Sequence, residues 1–154
     1  MMKIYLMQHG RPIPEEEDPE RPLSSQGIDD VKMMAGSLEK CGVRVQEILH
    51  SGKTRARQTA EIMMSRLQPG GELVEREDLA PIDDVRTIAD YINRETRDLM
   101  IVGHLPHLAG LASLLVVGSD SVQVVSFRQG GVLCLARDEG GEWTVAWMLL
   151  PEII

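Results

Sequence analysis

The feature that most restricts what this chain can become is an alternation. Short apolar runs with strand character each end on a polar or Gly residue, and a segment with helical periodicity follows. The runs at residues 4–8, 45–50 and 99–102 read as strands, with a shorter one at 73–75. Between and after them, four sets of apolar residues each fall on one helical face. These are Ile28, Val31, Ala35 and Leu38; Ala56, Ala60, Met63 and Leu67; Val85, Ile88, Ala89 and Ile92; and Leu108, Leu111, Ala112 and Leu115. Such a series folds as a layered α/β domain, because each helix must bury its stripe against a sheet. The uninterrupted run at 99–102 suits a parallel strand covered on both faces. Two final strands, at 132–136 and 143–149, flank a turn containing Gly140-Gly141 and read as a hairpin. The expected fold is a three-layer α/β/α sandwich with a mostly parallel, mixed central sheet.

Local signals set the boundaries. Ser24 is placed as a helix N-cap, with Leu23 and Ile28 at staple positions, and Gly42 ends that helix. Ser51 is expected to cap the second helix and Pro69-Gly70-Gly71 to stop it. Asp83 or Asp84 caps the third, and Pro106 belongs in the first turn of the fourth. The 154 residues suit a single domain spanning 1–154. A net charge of −8 argues against a nucleic-acid partner, which needs many Lys and Arg contacts. Cys41 and Cys134 lie far apart with no metal-type spacing, which points to a reducing compartment. The apolar run near the N-terminus is too short for a signal-peptide core and no stretch could span a membrane, so the chain reads as cytoplasmic, with no membrane partner.

His9, Ser51 and His104 each sit just past a strand end, and the last two precede helices. Ligands of open α/β sheets bind outside the carboxyl ends of the strands. Two helix N-termini would point their positive dipole ends at the same crevice. The pattern alone therefore describes an anion site.

Four strings carry the chemistry: Met7-Gln8-His9-Gly10, Arg21-Pro22-Leu23-Ser24, Ser51-Gly52-Lys53-Thr54-Arg55-Ala56-Arg57-Gln58-Thr59, and Val102-Gly103-His104-Leu105-Pro106. In this order and spacing the chain resembles the phosphoglycerate mutase-like histidine phosphatase superfamily, and within it the small SixA-type phosphohistidine phosphatases. The resemblance implies a phosphatase working through a phosphohistidine intermediate, without metal or cofactor. It makes His9 the nucleophile, His104 the second catalytic histidine and Arg55 a catalytic, phosphate-binding guanidinium. Gln8, Gly10 and Arg21 join them around the phosphate. The implied substrate is phosphohistidine on a protein, of which a phosphotransfer domain in a signalling relay is one example.

Elementary chemistry agrees. A neutral imidazole nitrogen can accept a phosphoryl group and pass it to water. Fixed guanidinium forks can hold the equatorial oxygens while it does so. The candidate carboxylates for protonating an alcohol leaving group, Glu77, Asp78, Asp83 and Asp84, sit in no convincing motif. Phosphoramidate substrates are favoured in consequence, because a leaving imidazole can depart already protonated.

The chain departs from the family at position 8, where Gln stands for Arg. Arg11 is a candidate to compensate and is counted among the phosphate-binding residues. Gly52 replaces a usual Pro, and His50 and His107 stand at unusual positions. Two other readings are rejected. Ser51-Gly52-Lys53-Thr54 looks like a nucleotide-binding loop, but position 47 is Glu where that motif needs Gly. His9, His104 and His107 lack the carboxylate or thiolate partners that usually complete zinc sites. Two alternatives stay open: a phosphomonoesterase for a small metabolite, and a phosphate- or phosphoprotein-binding module slowed by Gln8.

Overall fold

The structure is a computed structural model that describes residues 1–68 and 70–154. Among the described residues it has six strands and four helices: β1 (Met2–Gln8), α1 (Ser25–Lys40), β2 (Glu47–His50), α2 (Thr54–Leu67), β3 (Glu72–Glu75), α3 (Val85–Arg94), β4 (Leu99–Gly103), α4 (His107–Val117), β5 (Val132–Arg137) and β6 (Trp143–Leu149). A short 3-10 turn, Pro151–Ile153, follows β6. The sheet order is β3-β2-β4-β1-β5-β6. β1 pairs parallel with β4, β4 with β2, and β2 with β3, while β5 runs antiparallel to both β1 and β6. The expected mixed sheet and terminal hairpin are both present.

Side-chain alternation along the strands divides the core in two. Tyr5, Met7, Ile48, Met100 and Val102 pack with the stripes of α1 and α2 on one face. Ile4, Leu6, Leu49, Leu99 and Ile101 pack with those of α3 and α4 on the other. Both faces of β1 and β4 are therefore apolar and fully covered, which explains their unbroken hydrophobic runs. Each large aliphatic side chain sealed in these layers contributes about 1.5–3 kcal/mol.

The helix ends follow local chemistry. Ser24 accepts from the Gly27 N–H, and Asp84, rather than Asp83, accepts from the Arg86 N–H. The expected stop after α2 falls partly on Pro69, which lies outside the described residues, and the helix ends at Leu67. Two expectations need correction. Ser51 does not cap α2, which opens at Thr54 with Lys53 in the cap position and no side-chain cap bond. The cause is Gly52, whose φ of 87° turns the chain before the helix can start. Proline, locked near −65°, could not adopt that turn, so Gly here goes with a reshaped loop. Pro106 stands just before α4 rather than inside it, although its carbonyl already accepts from the Gly110 N–H.

Candidate phosphate-handling site

The carboxyl ends of β1, β2 and β4 are neighbours, so the residues following them meet. His9 lies just past β1, and its N–H donates to the Gly103 carbonyl at the end of β4. The His9 and His104 rings are 5.0 Å apart between centroids and tilted by 50°. Both are buried, with 7% and 2% of their surface exposed.

The tautomer of His9 follows from one bond. Its Nδ1 lies 2.7 Å from the Gly10 carbonyl oxygen. A carbonyl only accepts, so Nδ1 carries the proton and the Nε2 lone pair is free. Burial pushes the His9 pKa down to about 4, and the charges of Arg55 and Arg21 act in the same direction, against the Gly10 bond. Burial also lowers His104, to about 3, helped by His9, Arg55, Lys53 and His107. Both rings are neutral at pH 7. His104 Nε2 lies 2.7 Å from the Ser51 hydroxyl, and its buried Nδ1 has no partner among the described residues.

The positive groups arrive from two directions. Arg55 sits in the first turn of α2, half-buried. Burial, and then the charge of Arg21, lowers its pKa. Arg21 is brought in by a closed loop: Pro12 bridges Leu23, and the Ile13 N–H donates to the Pro22 carbonyl at 2.7 Å. Its φ of 47° is left-handed, an uncommon conformation for a residue with a side chain. Among the described residues neither Arg21 nor Arg55 makes a salt bridge. Two uncompensated guanidiniums beside two neutral imidazoles make a site that favours an anion. No acidic residue occupies the first turn of α2 or α4 to neutralise their N-terminal dipoles.

Sequence reasoning assigned no task to Gln58 and Thr59, yet both hold this site together. The Thr59 hydroxyl accepts from the Gly10 N–H at 3.1 Å and donates to the Arg55 carbonyl at 2.8 Å. Gln58 Oε1 accepts from the Leu23 N–H at 2.7 Å, anchoring the segment that follows Arg21. The Gln-Thr pair that ends the third string was the available signal. Gly10 is required by packing: a Cβ there would sit 2.8 Å from Val31 Cγ2.

The other candidates fall as follows. Gln8 is 9% exposed, and its Oε1 is buried without a partner. Arg11 is exposed and lines a surface cleft with Asp30, Arg128 and Glu152, apart from the two histidines. Arg57 pairs with Glu61 at 3.1 Å on the surface. His50 Nδ1 accepts from the Gly52 N–H, a local structural role. His107 is buried with neither ring nitrogen partnered. Of the four carboxylates, Asp78 is held by Arg76 through two bonds, Asp83 accepts from the Ala80 N–H and Asp84 caps α3.

Known proteins resemble this chain in sequence and fold. The chain is 26% identical over 155 residues to the phosphohistidine phosphatase SixA of Escherichia coli (strain K12), covering 97% of this chain and 94% of that protein. The structure of the protein histidine phosphatase SixA complexed with tungstate superposes with a TM-score of 0.86 at 25% identity, over 97% of both chains. A phosphoglycerate mutase from Bacillus anthracis str. Sterne, at 13% identity, shares the fold with a TM-score of 0.72 over 94% of this chain and 91% of that one. The sequence profile of the histidine phosphatase superfamily (branch 1) matches residues 4–84, from β1 through both arginines to the cap of α3. That match spans more than half of the chain, and with it the chain belongs to the histidine phosphatase superfamily, branch 1, and is a phosphatase.

Proposed function

We propose that the protein is a phosphohistidine phosphatase acting on a histidine-phosphorylated protein, with His9 as the phosphate-accepting nucleophile. The observation that carries this reading is the Nδ1–H of His9 held on the Gly10 carbonyl, which leaves Nε2 unprotonated near two guanidiniums that make no salt bridge among the described residues. In the first step Nε2 forms a bond to phosphorus while the P–N bond of the substrate breaks. The departing imidazole is neutral if it enters the step protonated, so no carboxylic acid of the enzyme is needed. In the second step water attacks the phosphoryl group on His9, inorganic phosphate leaves, and Nε2 regains its lone pair. Arg55 and Arg21 hold the equatorial oxygens, and His104 supplies a further hydrogen bond to them.

The engagement of three of the four candidate carboxylates supports a phosphoramidate substrate over an alcohol ester. The likeness to SixA, a protein histidine phosphatase, supports the same reading. The slowed binding module keeps one observation in its favour: Gln8 is neutral, and its buried amide oxygen has no partner.

Mass spectrometry of non-acidic quenches after mixing with a phosphohistidine peptide tests the proposal. The expected result is a transient phosphate on His9, coupled to phosphate release and absent from His9→Ala. Release that persists in His9→Ala would refute the role of His9. No release from the peptide would refute the substrate.

A further inference from the structure

The cleft that takes Arg11 away from the two histidines has a volume of about 340 Å³, with Arg11, Gln26, Asp30, Arg128, Gln129 and Glu152 in its lining. Arg11 and Arg128 are both exposed, and among the described residues neither makes a salt bridge. Neither histidine lines the cleft, but its two arginines stand on backbone joined to His9. Arg11 follows His9 by two residues, which keeps their Cα atoms within about 7 Å. Arg128 precedes Gly130 by two, and the Gly130 N–H donates to the Gln8 and His9 carbonyls at 3.0 and 3.2 Å.

Both arginines stand on fixed backbone. The Arg11 carbonyl accepts from the Ser24 N–H at 2.9 Å and from the Ser24 hydroxyl at 3.0 Å. The Arg128 carbonyl accepts from the Gly131 N–H at 2.9 Å, closing a turn through Gly130, whose φ is 78°. A Cβ on Gly130 would come within 3.1 Å of Pro151.

We propose that this cleft is a second anion subsite that binds an acidic side chain flanking the phosphohistidine of the protein substrate. This rests on the function proposed above. Charge balance selects a carboxylate over a second phosphate. The cleft also contains Asp30 and Glu152, so its two guanidiniums are offset and a dianion would gain little. A single carboxylate can still take a planar, bidentate bond from either arginine. Asp30 is already turned to Gln26, whose Nε2 donates to its Oδ1 at 2.8 Å, which leaves the guanidiniums available. In a chain of net charge −8, this cleft lets an acidic partner approach the nucleophile without meeting only repulsion.

The test compares two phosphohistidine peptides, one with Glu on both sides of the histidine and one with Gln at the same positions. The wild type is expected to prefer the acidic peptide by about tenfold in kcat/KM, through KM. Arg128→Gln is expected to erase that preference while hydrolysing phosphoramidate at the wild-type rate. No preference in the wild type, or a preference that survives Arg128→Gln, would overturn the subsite. If neither peptide is hydrolysed, the proposed substrate is lost and the subsite is judged on binding alone. Unphosphorylated acidic peptide should then shift the amide resonances of Arg11, Gln26 and Gly130 in the wild type but not in Arg128→Gln, and identical titrations would overturn it.

Discussion

Two buried neutral imidazoles make the stability of this protein depend on pH in a window where few other groups titrate. His9 has a pKa of 6.5 when solvated and about 4 in the fold, and His104 has about 3. Below 6.5 the unfolded chain binds protons that the folded state refuses. Stability is therefore complete above that pH and is lost as pH falls toward the folded values. At pH 5 the linkage amounts to about 2 kcal/mol for each ring, or about 4 kcal/mol for the pair, relative to pH 7.5. His50 and His107 are also lowered, mainly by burial, and add to the loss. The most strongly depressed carboxyl, Glu95, has a pKa of about 2 and stays ionised across this window. Urea unfolding at pH 7.5 and pH 5 measures the effect, in the wild type and in His9→Gln. The variant should lose about 2 kcal/mol less than the wild type over that interval. It should lose less still if His104 becomes easier to protonate without its neighbour. An equal loss in both proteins would refute the argument, because it would mean that the His9 ring is solvated enough to titrate normally. The buried, neutral His9 on which the proposed function rests would then be lost with it.

Three substitutions test other parts of the site. Thr59→Val leaves the Gly10 N–H without its acceptor in a buried place, so it should cost about 1–3 kcal/mol in urea unfolding and slow turnover; Thr59→Ser should restore both. Gly10→Ala places a methyl group 2.8 Å from Val31 Cγ2 and 3.2 Å from the Gly27 carbonyl, and should lower stability by about 1–3 kcal/mol in a thermal melt. Gln8→Arg restores a charged donor and should raise kcat/KM by about tenfold or more. The same change should lower the stability of the phosphate-free protein, because a guanidinium replaces an amide that is 9% exposed. A fall in turnover would show that the pocket is built around the amide.

The layers were legible because periodicity reports burial directly. The stripes of α1 through α4 and the apolar runs of β1 and β4 each have one way to be buried, and their order fixes the alternation. The meeting of His9 and His104 was legible for the same reason: both follow parallel strands that end on the same side of the sheet. Side-chain bonds between distant segments left no such trace. Ser51 looks like a helix cap because Ser after a strand usually is one, and its contact with His104, 53 residues away, depends on the turn at Gly52. The path of the Arg11-to-Pro22 loop is set by the Pro12–Leu23 bridge and by the Gln58–Leu23 bond, neither of which has a period. That loop carries Arg21 to the crevice and leaves Arg11 outside it. Position along the chain alone would have put the two arginines in the opposite order of proximity to His9.

The placement of these contacts on α2 gives the site its coherence. Arg55 and Thr59 are four residues apart and share a helix face, with Gln58 beside them. One stretch of one helix therefore holds the guanidinium whose charge acts on His9, the hydroxyl that fixes Gly10, and the amide that fixes the segment entering α1. The Thr59 hydroxyl closes the set by donating to the Arg55 carbonyl. A rigid shift of α2 would carry Arg55 and the Gly10 loop together, so the spacing between His9 and the Arg55 guanidinium survives motions that would separate groups on independent loops. Arg21 joins the same body through Leu23. Arg11 lies between Gly10, which Thr59 holds, and Pro12, which bridges Leu23, so its backbone belongs to the same body, whereas the Arg128 turn is tied to the chain at the end of β1 through Gly130.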